Sequence, residues 1–190
     1  MSYENPEVPH EVNVSRENAV VEFVRLAVGI GVLVVVLAAA LYFLGGFLAR
    51  LVPFATERSW VGDRVVGFPL SAPGDRSYDE VERYLQSLAN SLASSMDLPP
   101  DMDVRVHYTA LDVPNAFATL GGHVVITSAL YERMPSENAL AAVVAHEIAH
   151  VKARDPIAGA GGGASLAFVL ALVSGEADAL VPQLASLVAL

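Results

Sequence analysis

Two histidines four residues apart with a glutamate directly after the first, His146-Glu147-Ile148-Ala149-His150, are the residues of this chain best suited to chemistry. On a helix, positions i and i+4 stack on one face, so both imidazoles can reach a single metal ion while Glu147, one residue round, meets a water held by that metal. Zinc lowers the pKa of such a water toward neutrality and the carboxylate takes its proton, which is the chemistry of hydrolysing an unactivated bond such as a peptide. The plainer alternative is two polar histidines on an ordinary helix with Glu147 a solvated charge, since a bare H-E-x-x-H occurs in unrelated proteins. The flank weighs against that alternative. Residues 139–145 are wholly apolar, which predicts a largely buried helix, and buried imidazoles and carboxylates are costly without a partner such as a metal.

The helix that must position these groups is marked at both ends. Ser136 can N-cap it behind Pro135, and Asp155-Pro156 is expected to end it, giving a helix over residues 137–154. Upstream, Ser77-Tyr78-Asp79-Glu80 reads as a capping box, and Val81, Tyr84, Leu85, Leu88, Leu92 and Met96 recur behind it at helical spacing. Residues 104–109 alternate strictly, which predicts a strand with one buried face and His107 solvated on the other. Residues 115–127 hold two strand-like pieces around Gly121-Gly122, a hairpin signal, and Ser128 is expected to open a short helix over residues 129–134. Residues 53–75 read as irregular, with one short strand at Arg64-Val65-Val66.

Of the 190 residues, 54% are hydrophobic and only 17% charged, a balance usually caused by a membrane segment. The net charge of −10 and the lack of any run of Lys or Arg exclude a nucleic-acid partner, because nothing would neutralise phosphates. With no cysteine, there are no disulfides, and a zinc site must use nitrogen and oxygen ligands. Residues 26–49 carry no charge, and a helix of that length spans ~36 Å, more than the ~30 Å hydrocarbon core. Arg25 and Arg50 close its ends, and it begins too late for a secretory signal. Past the H-E-x-x-H helix, residues 157–175 are uncharged and residues 179–190 apolar, a pattern expected of a helical hairpin joined at Gly175-Glu176-Ala177-Asp178. The expected organisation is a polar tail over residues 1–25, a transmembrane helix over 26–49, an α+β metallopeptidase domain over 53–156 and the apolar hairpin over 157–190. That hairpin stops in mid-pattern and is expected to be truncated.

Asn115-Ala116-Phe117-Ala118, the Gly121-Gly122 turn, Val124-Val125-Ile126-Thr127-Ser128, the H-E-x-x-H helix with Val151, and Arg154-Asp155-Pro156, in that order and spacing, resemble the HtpX-like family of membrane-bound zinc metallopeptidases. The tail, the single span and Pro53-Phe54-Ala55-Thr56-Glu57 resemble a single-span branch of it, so the resemblance covers most of the chain. It implies a zincin-like fold of the gluzincin type in which one zinc ion is held by His146 and His150, Glu147 is the general base, and the strand starting at Asn115 is the edge that pairs with an extended substrate. It also implies a zinc metalloendopeptidase whose partners are membrane lipid and a protein or peptide substrate, and the expected reaction is hydrolysis of peptide bonds in membrane or misfolded proteins. The family takes its third ligand from the glutamate of an E-x-x-A-D helix. Here the residue three before Ala177 is Ser174, and Glu176, the nearest carboxylate, reads better as a charged loop residue between apolar helices, so the ligand is expected beyond Leu190. Two rival readings are a catalytically incomplete relative acting as a membrane-bound binding or scaffold protein, and a structural membrane protein with an accidental motif. The expected location is a membrane, single-pass or with an additional embedded hairpin, and nothing in the sequence sets an oligomeric state.

Overall fold

The computed structural model describes residues 18–62 and 76–174. The readings made for the first residues of the tail, for the strand at Arg64-Val65-Val66, for Glu176 and for the second arm of the hairpin lie outside them. The described residues fall into two compact units that divide between Ala39 and Ala40.

Helix α1 (Ala19–Ala49) runs through that division. Its first turn is capped by Asn18, whose Oδ1 accepts from the Val20 amide at 3.0 Å. The helix begins before the uncharged stretch, taking in Glu22 and Arg25, so it is longer than the sequence alone suggests. At 31 residues it measures ~46 Å. Leu33 is 65% exposed and Val35 67%, and among its described residues only Gly46 is buried.

The second unit carries the last residues of α1, then α2 (Phe54–Val61), α3 (Arg76–Ser95), β1 (Arg105–Thr109), β2 (Ala116–Ala118), β3 (His123–Thr127), α4 (Ser128–Tyr131), α5 (Glu137–Lys152) and α6 (Asp155–Ser174). The three strands form a mixed sheet in the order β1-β3-β2. β3 takes the centre because His123-Val124-Val125-Ile126-Thr127 is buried at every position and so needs a neighbour on each edge. β1 runs parallel to it, with Val106 opposite Val124, and β2 antiparallel, with Phe117 opposite Val125. Leu85 and Ala89 of α3 and Leu140, Val144 and Ile148 of α5 pack with Val106, Val124 and Ile126 of the sheet into one core. β2 and β3 form the expected hairpin, closed by a 3₁₀ turn at Leu120–Gly122. Gly122 sits at φ +80°, and a Cβ there would run into the Asp103 carbonyl oxygen, so no other residue fits.

Several boundaries differ from the sequence reading. α3 begins at Arg76, which places Ser77 inside the first turn instead of at the cap. α4 is capped by Thr127, whose Oγ1 accepts from the Leu130 amide at 3.3 Å, and it ends at Tyr131. α5 ends at Lys152, and after Arg154 turns left-handed at φ +60° a new helix starts at once. Pro156 is tolerated there because its missing N–H falls in the first turn of α6, where that group has no intrahelical partner. His107 is not solvated. It is half-buried, and its Nε2 lies 2.7 Å from Nδ1 of the fully buried His123, a second ring on the same sheet face that alternation alone does not reveal.

α6 meets the end of α1 through small residues. A Cβ on Gly161 would lie 2.6 Å from the Gly45 carbonyl oxygen, and one on Gly162 would strike the Tyr42 ring at 2.8 Å. The two backbones are therefore in direct contact, as glycine permits.

Candidate metal centre

The rotation of α5 about its axis decides what the H-E-x-x-H motif can do. Ser136 Oγ accepts from the Ala139 amide at 3.2 Å and fixes the start of the helix as the sequence predicts. The stripe Leu140, Val144, Ile148 and Val151 is buried and fixes the face turned to the core. Glu147 falls on that side at 7% exposure, while His146 is exposed and His150 half-exposed. The helix is thus less buried than its apolar flank suggests, because alanines at 139, 141, 142 and 145 are small enough to need no core around them. The burial argument holds for the carboxylate and not for the imidazoles.

Both rings open into a cleft of about 450 Å³ whose other walls are Ala116, Phe117 and Ala118 of β2 and Asp155 and Pro156 at the start of α6. Inside it the two Nε2 atoms converge to 3.2 Å. Two zinc–nitrogen bonds of ~2.0–2.1 Å at a tetrahedral angle hold their nitrogens ~3.3 Å apart, so the pair fits one ion. The tautomer fits as well. His150 Nδ1 lies 2.9 Å from Asp155 Oδ2, and a carboxylate can only accept, so the ring proton sits on Nδ1 and the Nε2 lone pair faces the cleft. Among the described residues no group of three or more His, Asp or Glu side chains is placed to hold a metal, and Glu176 lies outside them. His146 and His150 would be two ligands of such an ion, and Asp155, turned to Nδ1, is not a third.

Glu147 is fixed from the sheet side: its Oε2 accepts from the Ala118 amide at 2.9 Å. That bond also shows which edge of β2 faces the motif. Asn115 and Thr119 bond back toward β3, through Asn115 O to the Thr127 amide and from the Thr119 amide to His123 O. In an antiparallel pair the bonding direction alternates, so Ala116 and Ala118 turn their backbone groups away from β3 and into the cleft.

A buried ion pair ties the walls together. Arg154 Nη2 lies 2.8 Å from Glu57 Oε2 and donates to the Val52 carbonyl at 2.7 Å, with its guanidinium 5.5 Å from the centre of the Phe54 ring. Glu57 Oε1 accepts from the Gly121 amide at 2.8 Å, so one pair links the β2–β3 turn to the α5–α6 junction. Sequence reasoning singled out His146, Glu147 and His150, and the structure brings all three to one cleft. It gave no role in the site to Asp155, read as a helix stop and as part of the Arg154-Asp155-Pro156 motif. The available signal was a carboxylate five residues past His150, just beyond the helix end. Glu57 and Arg154 offered no signal of pairing, being far apart in the chain.

Residues 79–187 match the family described as Peptidase family M48. The chain is 39% identical over 74 residues to a beta-barrel assembly-enhancing protease of Escherichia coli K12, a match covering 38% of this chain and 15% of that protein. It is 37% identical over 78 residues to a putative beta-barrel assembly-enhancing protease of Vibrio cholerae serotype O1, covering 39% of this chain and 15% of that protein. To a protease HtpX homolog of Aquifex aeolicus it is 33% identical over 102 residues, covering 50% of this chain and 31% of that protein. The chain therefore spans less than a third of the length of each of these relatives.

Proposed function

The chain belongs to peptidase family M48, and on that premise we propose that it is a membrane-anchored zinc metalloendopeptidase with a zincin-like active site, cutting extended segments of membrane or misfolded proteins. The observation that carries this reading is the convergence of His146 and His150 Nε2 at 3.2 Å beside a buried Glu147 and an outward-turned strand edge. A zinc ion held by the two imidazoles would polarise the scissile carbonyl and lower the pKa of a water at that place.

The remaining steps belong to the chain. Glu147, with Oε2 occupied by the Ala118 amide, has its second oxygen to take a proton from the attacking water and deliver it to the leaving amine. An extended substrate adds to β2 through the outward N–H and C=O of Ala116 and the C=O of Ala118, the Ala118 N–H being held by Glu147, a mode that reads the peptide backbone and so accepts many sequences. Anchoring is assigned to α1 and α6, both long and apolar enough to cross a membrane. On α6, Leu170 is 60% exposed and Val173 68%, a surface that suits lipid better than water.

The test is hydrolysis of an unfolded protein by the detergent-solubilised protein, in a form long enough to carry the third zinc ligand, before and after chelation. Cleavage should disappear with the chelator and return with added zinc. Cleavage that persists without metal would refute the metallopeptidase, and substrate binding without cleavage at any metal concentration would instead mark a binding or scaffold protein.

A further inference from the structure

We propose that Asp155 is a positioning residue for His150, and that Arg50, directly after α1, holds Asp155 in that role, so that the metal site is set by the junction of the two apolar helices. This rests on the reading of His150 as a zinc ligand. The Asp155 carboxylate is divided between two partners: Oδ2 lies 2.9 Å from His150 Nδ1 and Oδ1 accepts from Arg50 Nη2 at 3.0 Å. Each contact removes a freedom that a ligand must not have. The first fixes the imidazole tautomer and the plane of the ring, and the second fixes the carboxylate that does so.

A merely structural role fits these atoms poorly. The Arg50 and Asp155 side chains are 48% and 41% exposed, and ion pairs that exposed add little to stability. An aspartate in the first turn of α6 would favour the helix dipole in any rotamer, yet this one is turned so that both oxygens are used. The spacing that allows it comes from the helix crossing. Gly45 and Gly161 bring the backbones of α1 and α6 together, which sets how far Arg50 stands from Asp155. It follows that widening the crossing should disturb the metal although no ligand is touched.

Zinc dissociation constants measured by competition on the full chain in detergent micelles test this, with circular dichroism and thermal unfolding of the metal-free protein as folding controls. The parent should bind zinc and His150→Ala should lose it, which establishes the ligand. Asp155→Ala should then weaken zinc by roughly 10–100-fold with the metal-free protein still folded. Asp155→Asn should fall between, because its amide oxygen can accept the same N–H without the charge. Arg50→Gln should weaken zinc less than Asp155→Ala, Arg50→Lys should restore it, and Gly161→Leu should weaken it. If Asp155→Ala does not fold, Asp155→Asn and Arg50→Gln decide the matter. Parent-like affinity in the folded Asp155 and Arg50 variants, with zinc lost in His150→Ala, overturns the positioning role alone. Equal zinc binding by the parent and His150→Ala overturns the ligand assignment and the positioning role with it.

Discussion

Glu147 and Glu57 are both buried carboxylates, and their partners show why only one of them is suited to chemistry. Glu147 receives one backbone N–H and faces a cleft, so it can exchange a proton. Glu57 is enclosed at 3% exposure, with its oxygens turned to Gly121 and Arg154, so it is a brace. Replacing Glu57 with Ala strands the Arg154 guanidinium, whose side chain is only 12% exposed, and should cost about 3–5 kcal/mol. Chemical unfolding of the parent and the variant measures it. A difference below ~1 kcal/mol would show that Arg154 finds water or another acceptor. The division between legible and illegible residues follows the same physics. His146, Glu147 and His150 could be read from the sequence because one helix spaces them and helical geometry is local. Asp155 was hidden by its proline neighbour, which announces a break and says nothing of where a carboxylate points. Glu57 with Arg154, and His107 with His123, meet only after the sheet and helices have packed.

At the scale of elements, the β2–β3 hairpin was legible because Gly121 and Gly122 are demanded by the turn itself, whereas the parallel pairing of β1 with β3 leaves no local mark. Most helix ends were read to within a few residues, with errors where Thr127 and not Ser128 supplies the cap and where Pro156 opens a helix, while α1 begins seven residues before the expected span, at Ala19 instead of Leu26. Two predictions belong here. Ala116 presents its N–H away from β3, so Ala116→Pro removes a donor facing the cleft without breaking the sheet. It should leave the unfolding temperature nearly unchanged and lower kcat/KM by about ten-fold, the effect of one backbone hydrogen bond. Unaltered kcat/KM would mean that substrate does not pair with β2. In the helix crossing, Gly161→Leu forces a side chain into the Gly45 backbone and should destabilise by ~1–3 kcal/mol. Gly159→Leu, on the same helix with nothing within 4 Å, should be neutral when both are unfolded thermally in detergent. Equal effects would show that the crossing is not packed.

For the whole molecule, two apolar helices with exposed faces frame the peptidase unit in sequence, and the family resemblance together with the composition already pointed to a membrane. Removing residues 1–50 deletes α1 but leaves the exposed leucines and valines of α6. The truncated protein should therefore still need detergent, as fractionation after carbonate washing would show, and full solubility without detergent would place α6 in a water-facing core. The claim on which the rest depends is the division of roles along one helix. Its most direct test is zinc content and peptide hydrolysis measured on the same preparations of the parent, Glu147→Gln and His150→Ala, each in a form long enough to carry the third zinc ligand. Gln keeps an oxygen for the Ala118 amide and cannot take a proton, so Glu147→Gln should retain zinc while hydrolysis falls by at least ~10². His150→Ala should lose zinc and hydrolysis together. A Glu147→Gln protein that loses its zinc as completely as His150→Ala, or that hydrolyses peptide as the parent does, would contradict the account.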